Sequence, residues 1–169
     1  MTVLIVLLRL LHILSGVFWV GAAIFSTFIL GPAVSATGDA GRTFMDYLVS
    51  KARINVRMSG AAGVTVLAGA VLYWIDSGGF TSSWTTSGPG LGFGIGALFA
   101  LAGMGIGALV GTNAKKIGQV AARAQGKPSA AQLVEMQTAR DSMAQASLWS
   151  SVLLVISLIC MATARYWVF

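Results

Sequence analysis

The residues of this chain best suited to holding a metal are its single histidine, His12, its single cysteine, Cys160, and the methionine beside it, Met161. Imidazole with thiolate or thioether suits the soft cation Cu(I). Alternatively, His12 could take one axial position of a haem and Met161 the other, with Arg9 and Arg165 pairing the propionates. A bis-histidine haem within one chain is excluded by the histidine count. Arg9, His12, Gly16 and Trp19 follow one another at helical spacing and share one stripe of a helix. A plainer role is open to the same residues. His12 would then hydrogen-bond a neighbour such as Ser15 or a facing carbonyl, while Arg9 and Arg165 reach lipid phosphates or pair with Asp76.

Other chemistries find less footing. No Ser/His/Asp set lies within the apolar segments, and the acidic residues all fall in connections or at segment ends. General acid–base work on a buried substrate therefore lacks its carboxylate pair. Proton- or ion-coupled transport lacks an intramembrane acid. The many glycines do not follow a strand and lack the Lys-Ser/Thr pair of a phosphate loop.

The elements that must position these residues are membrane helices. Of 169 residues, 56% are hydrophobic and 9% charged, against about 25% charged in soluble domains. The net charge of +6 does not imply a nucleic-acid partner. Its positive residues cluster in two short connections, as topology determinants do. One cysteine allows no internal disulfide. Four apolar segments stand out at 3–30, 58–75, 90–112 and 146–168. Each is near or above the ~20 residues that a crossing needs. The periodicity of Phe44, Tyr47, Leu48 and Ile54 predicts that the second helix begins earlier, around Arg42. Val34-Ser35-Ala36 resembles a signal-peptide cleavage site. However, no basic residue precedes Arg9, and the apolar run far exceeds the roughly 7–15 residues of a signal core. The segment is therefore read as a helix of the mature protein.

Nine of the eleven Lys and Arg residues fall between the first two segments or between the last two. The positive-inside rule places those connections in the cytoplasm, with both termini and the 76–89 loop outside. Tyr73, Trp74, Tyr166 and Trp167 then lie at the outer interface and Trp149 at the inner one, whereas Trp19 falls mid-span. On this frame His12 lies in the outer half of the membrane, where an ionisable group is a functional candidate. Cys160 and Met161 share its depth, Arg165 lies near the level of Arg9, and Met104 sits near the midplane.

On the third segment, Gly92, Gly96, Ala100, Gly103, Gly107 and Gly111 line one face. Ser59, Gly63 and Gly69 could do the same on the second. Small residues let helices approach closely in lipid. The stripe serves either packing inside a four-helix bundle or contact with a second copy or a lipid tail. Beyond the third segment, Lys115 to Gln125 favours helix, Gly126-Lys127-Pro128-Ser129 makes a turn, and Ser129 with Gln132 fits a capping box. Ala130 to Gln145 then leads into the fourth segment. This predicts a cytoplasmic helical hairpin over 115–145, projecting on the order of 15–20 Å. It is either a solvated extension or a docking site for a partner.

The run Leu10-Leu11-His12-Ile13-Leu14-Ser15-Gly16-Val17-Phe18-Trp19-Val20-Gly21 resembles the opening helix of small copper-resistance D-like (CopD-like) membrane proteins. Their pattern is a leucine-histidine followed by tryptophan and glycine, with a later proline, here Pro32. A similar opening occurs in HemJ, a haem-binding membrane family of protoporphyrinogen oxidases. The ending Met161-Ala162-Thr163-Ala164-Arg165-Tyr166 is similar to that of bacterial four-span proteins. The resemblance implies residence in a bacterial inner membrane. It also implies that His12 contacts a metal or haem, with Trp19 as its neighbour. The chain departs from these families in having no second histidine.

The expected fold is a single all-α domain over 1–169, an integral membrane four-helix bundle with spans 3 and 4 extended by the hairpin. Three functions fit these residues. The first is a CopD-like protein that binds or passes copper, or holds haem, through His12. The second is a non-catalytic accessory subunit of a larger membrane complex, making contacts by the hairpin or glycine face. The third, with least support in the residues, is an oxidoreductase resembling HemJ.

Overall fold

A computed structural model of the protein describes residues 2–124 and 126–168. Among these the regular structure is entirely helical, and four helical stretches are long and apolar enough to cross a membrane. Gln125, the expected last residue of the third helix, lies outside the described residues.

The first crossing is one rod, Thr2–Ala36, made of α1 (Thr2–Phe25), a wide π turn (Ser26–Leu30) and α2 (Gly31–Ala36). Pro32 accounts for the wide turn. It brings no N–H, and its ring would clash with the carbonyl of Phe28, four residues back, in a regular α-helix. Widening the turn lets the Gly31 N–H bond to the Ser26 carbonyl instead. Gly38, with φ of 58°, reverses the chain into the short helix α3 (Asp39–Ser50). There Gly41 lies against the Val34 carbonyl with no room for a Cβ.

The second crossing departs from expectation. It does not run on from Arg42, because that stretch is the separate helix α3, and α4 covers Ile54–Asp76. Two N–H groups, of Lys51 and Ala52, close α3 by sharing the Tyr47 carbonyl at 2.9 and 3.0 Å. Arg53 then turns left-handed, with φ of 50°, and its carbonyl opens α4 by accepting from Val56 and Arg57.

The 77–87 connection is compact. The buried Ser77 hydroxyl donates to the Trp74 carbonyl and accepts from the Phe80 N–H, both at 3.1 Å. Tyr73, Phe80 and Trp84 pack ring to ring above it, and Trp84 stacks on Phe93.

Helix α5 (Gly88–Arg123) and helix α6 (Ala130–Thr163) form the long hairpin. The capping box at Ser129 and Gln132 is present, Gly126 takes a positive φ of 114° in the turn, and Val120 and Ala139 are buried near the tip. The glycine stripe is spent inside the chain from Gly92 to Gly107, while Gly111 faces open space. Gly92 meets Ala164, Gly96 meets Met161 and Ser157, and Gly103 meets Leu154. The backbones are close enough for Ser157 to donate to the Gly96 carbonyl at 2.7 Å and Ser150 to the Gly103 carbonyl at 2.8 Å. On the second crossing only Gly69 of the expected small-residue face is closely packed; Gly63 faces open space.

The bundle is thus two antiparallel pairs, α1 with α4 and α5 with α6, which meet each other over a smaller area. Trp19, Ala62 and Leu154 form the shared core, flanked by Met104. Thr27 and Ser151 bond through their hydroxyls across the same junction at 2.8 Å.

Candidate functional site

The seam between α1 and α4 is built from small and polar residues. On α1, the stripe of His12, Gly16 and Trp19 turns toward α4. Gly16 lets Thr65 approach, since a Cβ there would touch its methyl at 3.4 Å. Gly69 opens the space that the imidazole fills, because a Cβ there would lie 2.8 Å from Cε1 and 2.9 Å from Nδ1 of His12. The ring therefore rests on bare backbone.

Its Nδ1 lies 2.8 Å from the Thr65 carbonyl oxygen. A carbonyl only accepts, so Nδ1 carries the proton, and in the neutral ring Nε2 carries the lone pair. Around this bond the Thr65 hydroxyl lies 2.8 Å from both the Ala61 carbonyl and the Ser15 hydroxyl, and Ser15 donates to the Leu11 carbonyl. Among the described residues no group bonds to Nε2 of His12. Nor is that atom enclosed, for no buried polar side-chain atom lacks a partner among them. Its lone pair is available at the edge of the seam. An apolar groove of about 240 Å³, lined by Leu8, Leu11, Val64, Leu67, Ala68 and Val71, runs along the same pair of helices.

Of the other expected site residues, Arg9 and Trp19 share the helix of His12, and Arg165, Cys160 and Met161 lie elsewhere. Arg9 is exposed, and so is Arg165 in the short turn that follows α6. Among the described residues neither forms an ion pair, with Asp76 or any other acid. Trp19 lies on the His12 stripe but is buried in the core, 6% exposed. Cys160 is a free thiol. It packs with Met161 at Gly96, so their contacts are with α5 while those of His12 are with α4. Among the described residues no three or more His, Cys, Asp or Glu side chains are grouped to hold a metal.

Thr65 is the residue that sequence reasoning missed. A threonine and a glycine one turn apart, Thr65 and Gly69, offer a carbonyl with open space beside it. Only the pairing of α4 with α1 gives that pattern its meaning. Compared with known proteins, the chain matches no family model, no curated protein and no solved structure.

Proposed function

We propose that this chain is a multi-pass protein of a bacterial inner membrane that presents His12 as a cofactor ligand in the outer half of the bilayer. The observation carrying this reading is the hydrogen bond from Nδ1 to the Thr65 carbonyl, which orients the ring and leaves the Nε2 lone pair without a partner among the described residues. Ligating histidines are commonly held by such a bond from their second nitrogen. Of the two cofactors, haem is the better fit. One imidazole supplies one axial position, whereas the apolar groove along the same helix pair does not count His12 in its lining. Cu(I) seeks soft donors, and Cys160 and Met161 pack on the other helix pair. Arg9, one turn from His12 and without an ion pair among the described residues, is suited to a carboxylate of the bound group. The orientation rests on the cationic connections, which put the α5–α6 turn in the cytoplasm and both termini outside.

The test is metal analysis with an ultraviolet-visible spectrum of the gently extracted protein, wild type beside His12→Ala. A Soret band, or near-stoichiometric copper, that the substitution removes is the expected result. A blank in both proteins overturns the reading.

A second reading, an accessory subunit of a membrane complex, draws on a separate observation. Leu133 and Val134 are exposed on α6 well before its apolar stretch begins, where water rather than lipid would meet them. Their replacement by serine would release a co-purifying protein if that end docks a partner.

A further inference from the structure

We infer that α3 is an interfacial helix that binds an anionic lipid surface, independently of any cofactor at His12. The helix is amphipathic. Asp39, Arg42, Thr43, Asp46 and Ser50 share one face, while Gly41, Met45 and Leu48 are buried or half-buried on another. Between these faces Ala40, Phe44 and Tyr47, at helical spacing, form an apolar strip that is exposed: Phe44 by 51% and Tyr47 by 61%.

The tethers fix where that strip lies. Only Thr37 and Gly38 separate α3 from the first crossing, and only 51–53 separate it from α4. At ~3.5 Å per extended residue, the end of α3 at Ser50 stays within about 14 Å of the start of α4, and its beginning at Asp39 within about 10 Å of the end of the first crossing. The 23 residues of α4 rise about 35 Å, close to the ~30 Å of a hydrocarbon core. Helix α3 is therefore held at the headgroup layer, the depth at which amphipathic helices bury an apolar face. Charge selects the lipid. Lys51, Arg53 and Arg57 are exposed, and among the described residues none forms an ion pair. Arg42 is already paired with Asp39 at 3.1 Å, and Asp46 is the one acid of this segment left over. Among the described residues, the chain at the end of the strip thus carries three unpaired cations against one unpaired acid, an excess that fits phosphates of acidic headgroups.

The experiment uses the full chain in a Cys160→Ser background, with a fluorophore at Ala40→Cys on the strip or at Asp46→Cys on the polar face. The protein is placed in nanodiscs of phosphatidylcholine with phosphatidylglycerol, and quenching is read with doxyl-labelled forms of each lipid and with aqueous iodide. The label at position 40 should be quenched by doxyl lipid, more by phosphatidylglycerol than by phosphatidylcholine, and the label at position 46 by iodide. The combined change K51Q/R53N/R57Q should lower the phosphatidylglycerol preference, by up to roughly fivefold per cation removed. Asparagine at 53 keeps a residue that tolerates the left-handed backbone. Iodide reaching both positions alike would overturn the inference. So would an unchanged lipid preference in the triple variant. A label at position 40 shielded from lipid and iodide together would also overturn it, and would show that a protein or a second copy covers the strip.

Discussion

Replacing Gly69 by alanine should loosen the hold of Thr65 on His12 while leaving the protein folded. The new Cβ would lie 2.8 Å from Cε1 and 2.9 Å from Nδ1 of the ring. Ordinary contact needs about 3.4 Å or more, so the ring must retreat by roughly half an ångström. The present 2.8 Å bond to the Thr65 carbonyl then lengthens to roughly 3.3 Å, at the weak end of the range. Polar contacts between membrane helices are worth about 0.6 kcal/mol on average and up to about 1.7. A displaced rotamer costs about 0.5–1.5 kcal/mol more. Against these losses, alanine is the better helix former by up to about 1 kcal/mol. The net change in stability should therefore stay within about 2 kcal/mol. The tautomer should respond more clearly. A bond worth about 0.6–1.7 kcal/mol favours the Nδ1–H form by roughly threefold to twentyfold, and the variant gives up part of that preference. The assay is ¹⁵N NMR of protein labelled at histidine, where the single imidazole gives one unambiguous pair of ring signals. Wild type should report Nδ1–H, and Gly69→Ala should move toward Nε2–H. A wild-type ring protonated at Nε2 would refute the reasoning, and with it the claim that this nitrogen is free to ligate.

Five further outcomes follow from packing and from one exposed ion pair. Gly92→Ala should destabilise the protein by about 1–3 kcal/mol, because the new Cβ would press on Ala164 at 2.8 Å from its Cβ and 2.9 Å from its Cα. Gly105→Ala, on the same helix but facing open space, should be neutral or slightly stabilising, and detergent-induced unfolding compares the two directly. Ser157→Ala removes the 2.7 Å bond to the Gly96 carbonyl and should cost about 0.6 kcal/mol in the same assay. Near the hairpin tip, Val120→Ala should cost about 1–2 kcal/mol, since Val120 is 2% exposed. Glu135→Gln, which breaks only an exposed 3.5 Å pair with Lys116, should cost under about 0.5 kcal/mol by thermal denaturation.

How far the sequence carries depends on whether a feature is local. The crossings are legible because apolar runs register without reference to neighbours. The hairpin is legible because Gly126, Pro128, Ser129 and Gln132 encode their own turn and cap. The stripe of His12, Gly16 and Trp19 follows from helical spacing alone. By contrast, the break before α4 turns on Arg53 in a left-handed conformation, which neither glycine nor proline announces. Helix pairing is less visible still. His12, Cys160 and Met161 share an expected depth, yet they pack on different helices. Rotation about each helix axis is set by contacts such as Gly69 with His12 and Gly96 with Met161, and these are properties of two segments at once.

The wide turn ahead of Pro32 sets an angular phase as well as relieving a clash. It holds one residue more than the regular helix would use over the same rise, and each residue of an α-helix advances the direction of its side chain by about 100°. Residues 2–25 and residues 31–36 are therefore out of step by roughly that angle. The first group aims His12 at α4, while the second aims the start of α3. Removing one residue from 26–30 would leave the rod nearly as long and as apolar as before. It would keep the His12 seam in place and swing α3 about a quarter turn around the axis. In this stretch, then, deletions should be judged by rotation, because hydropathy would barely register them.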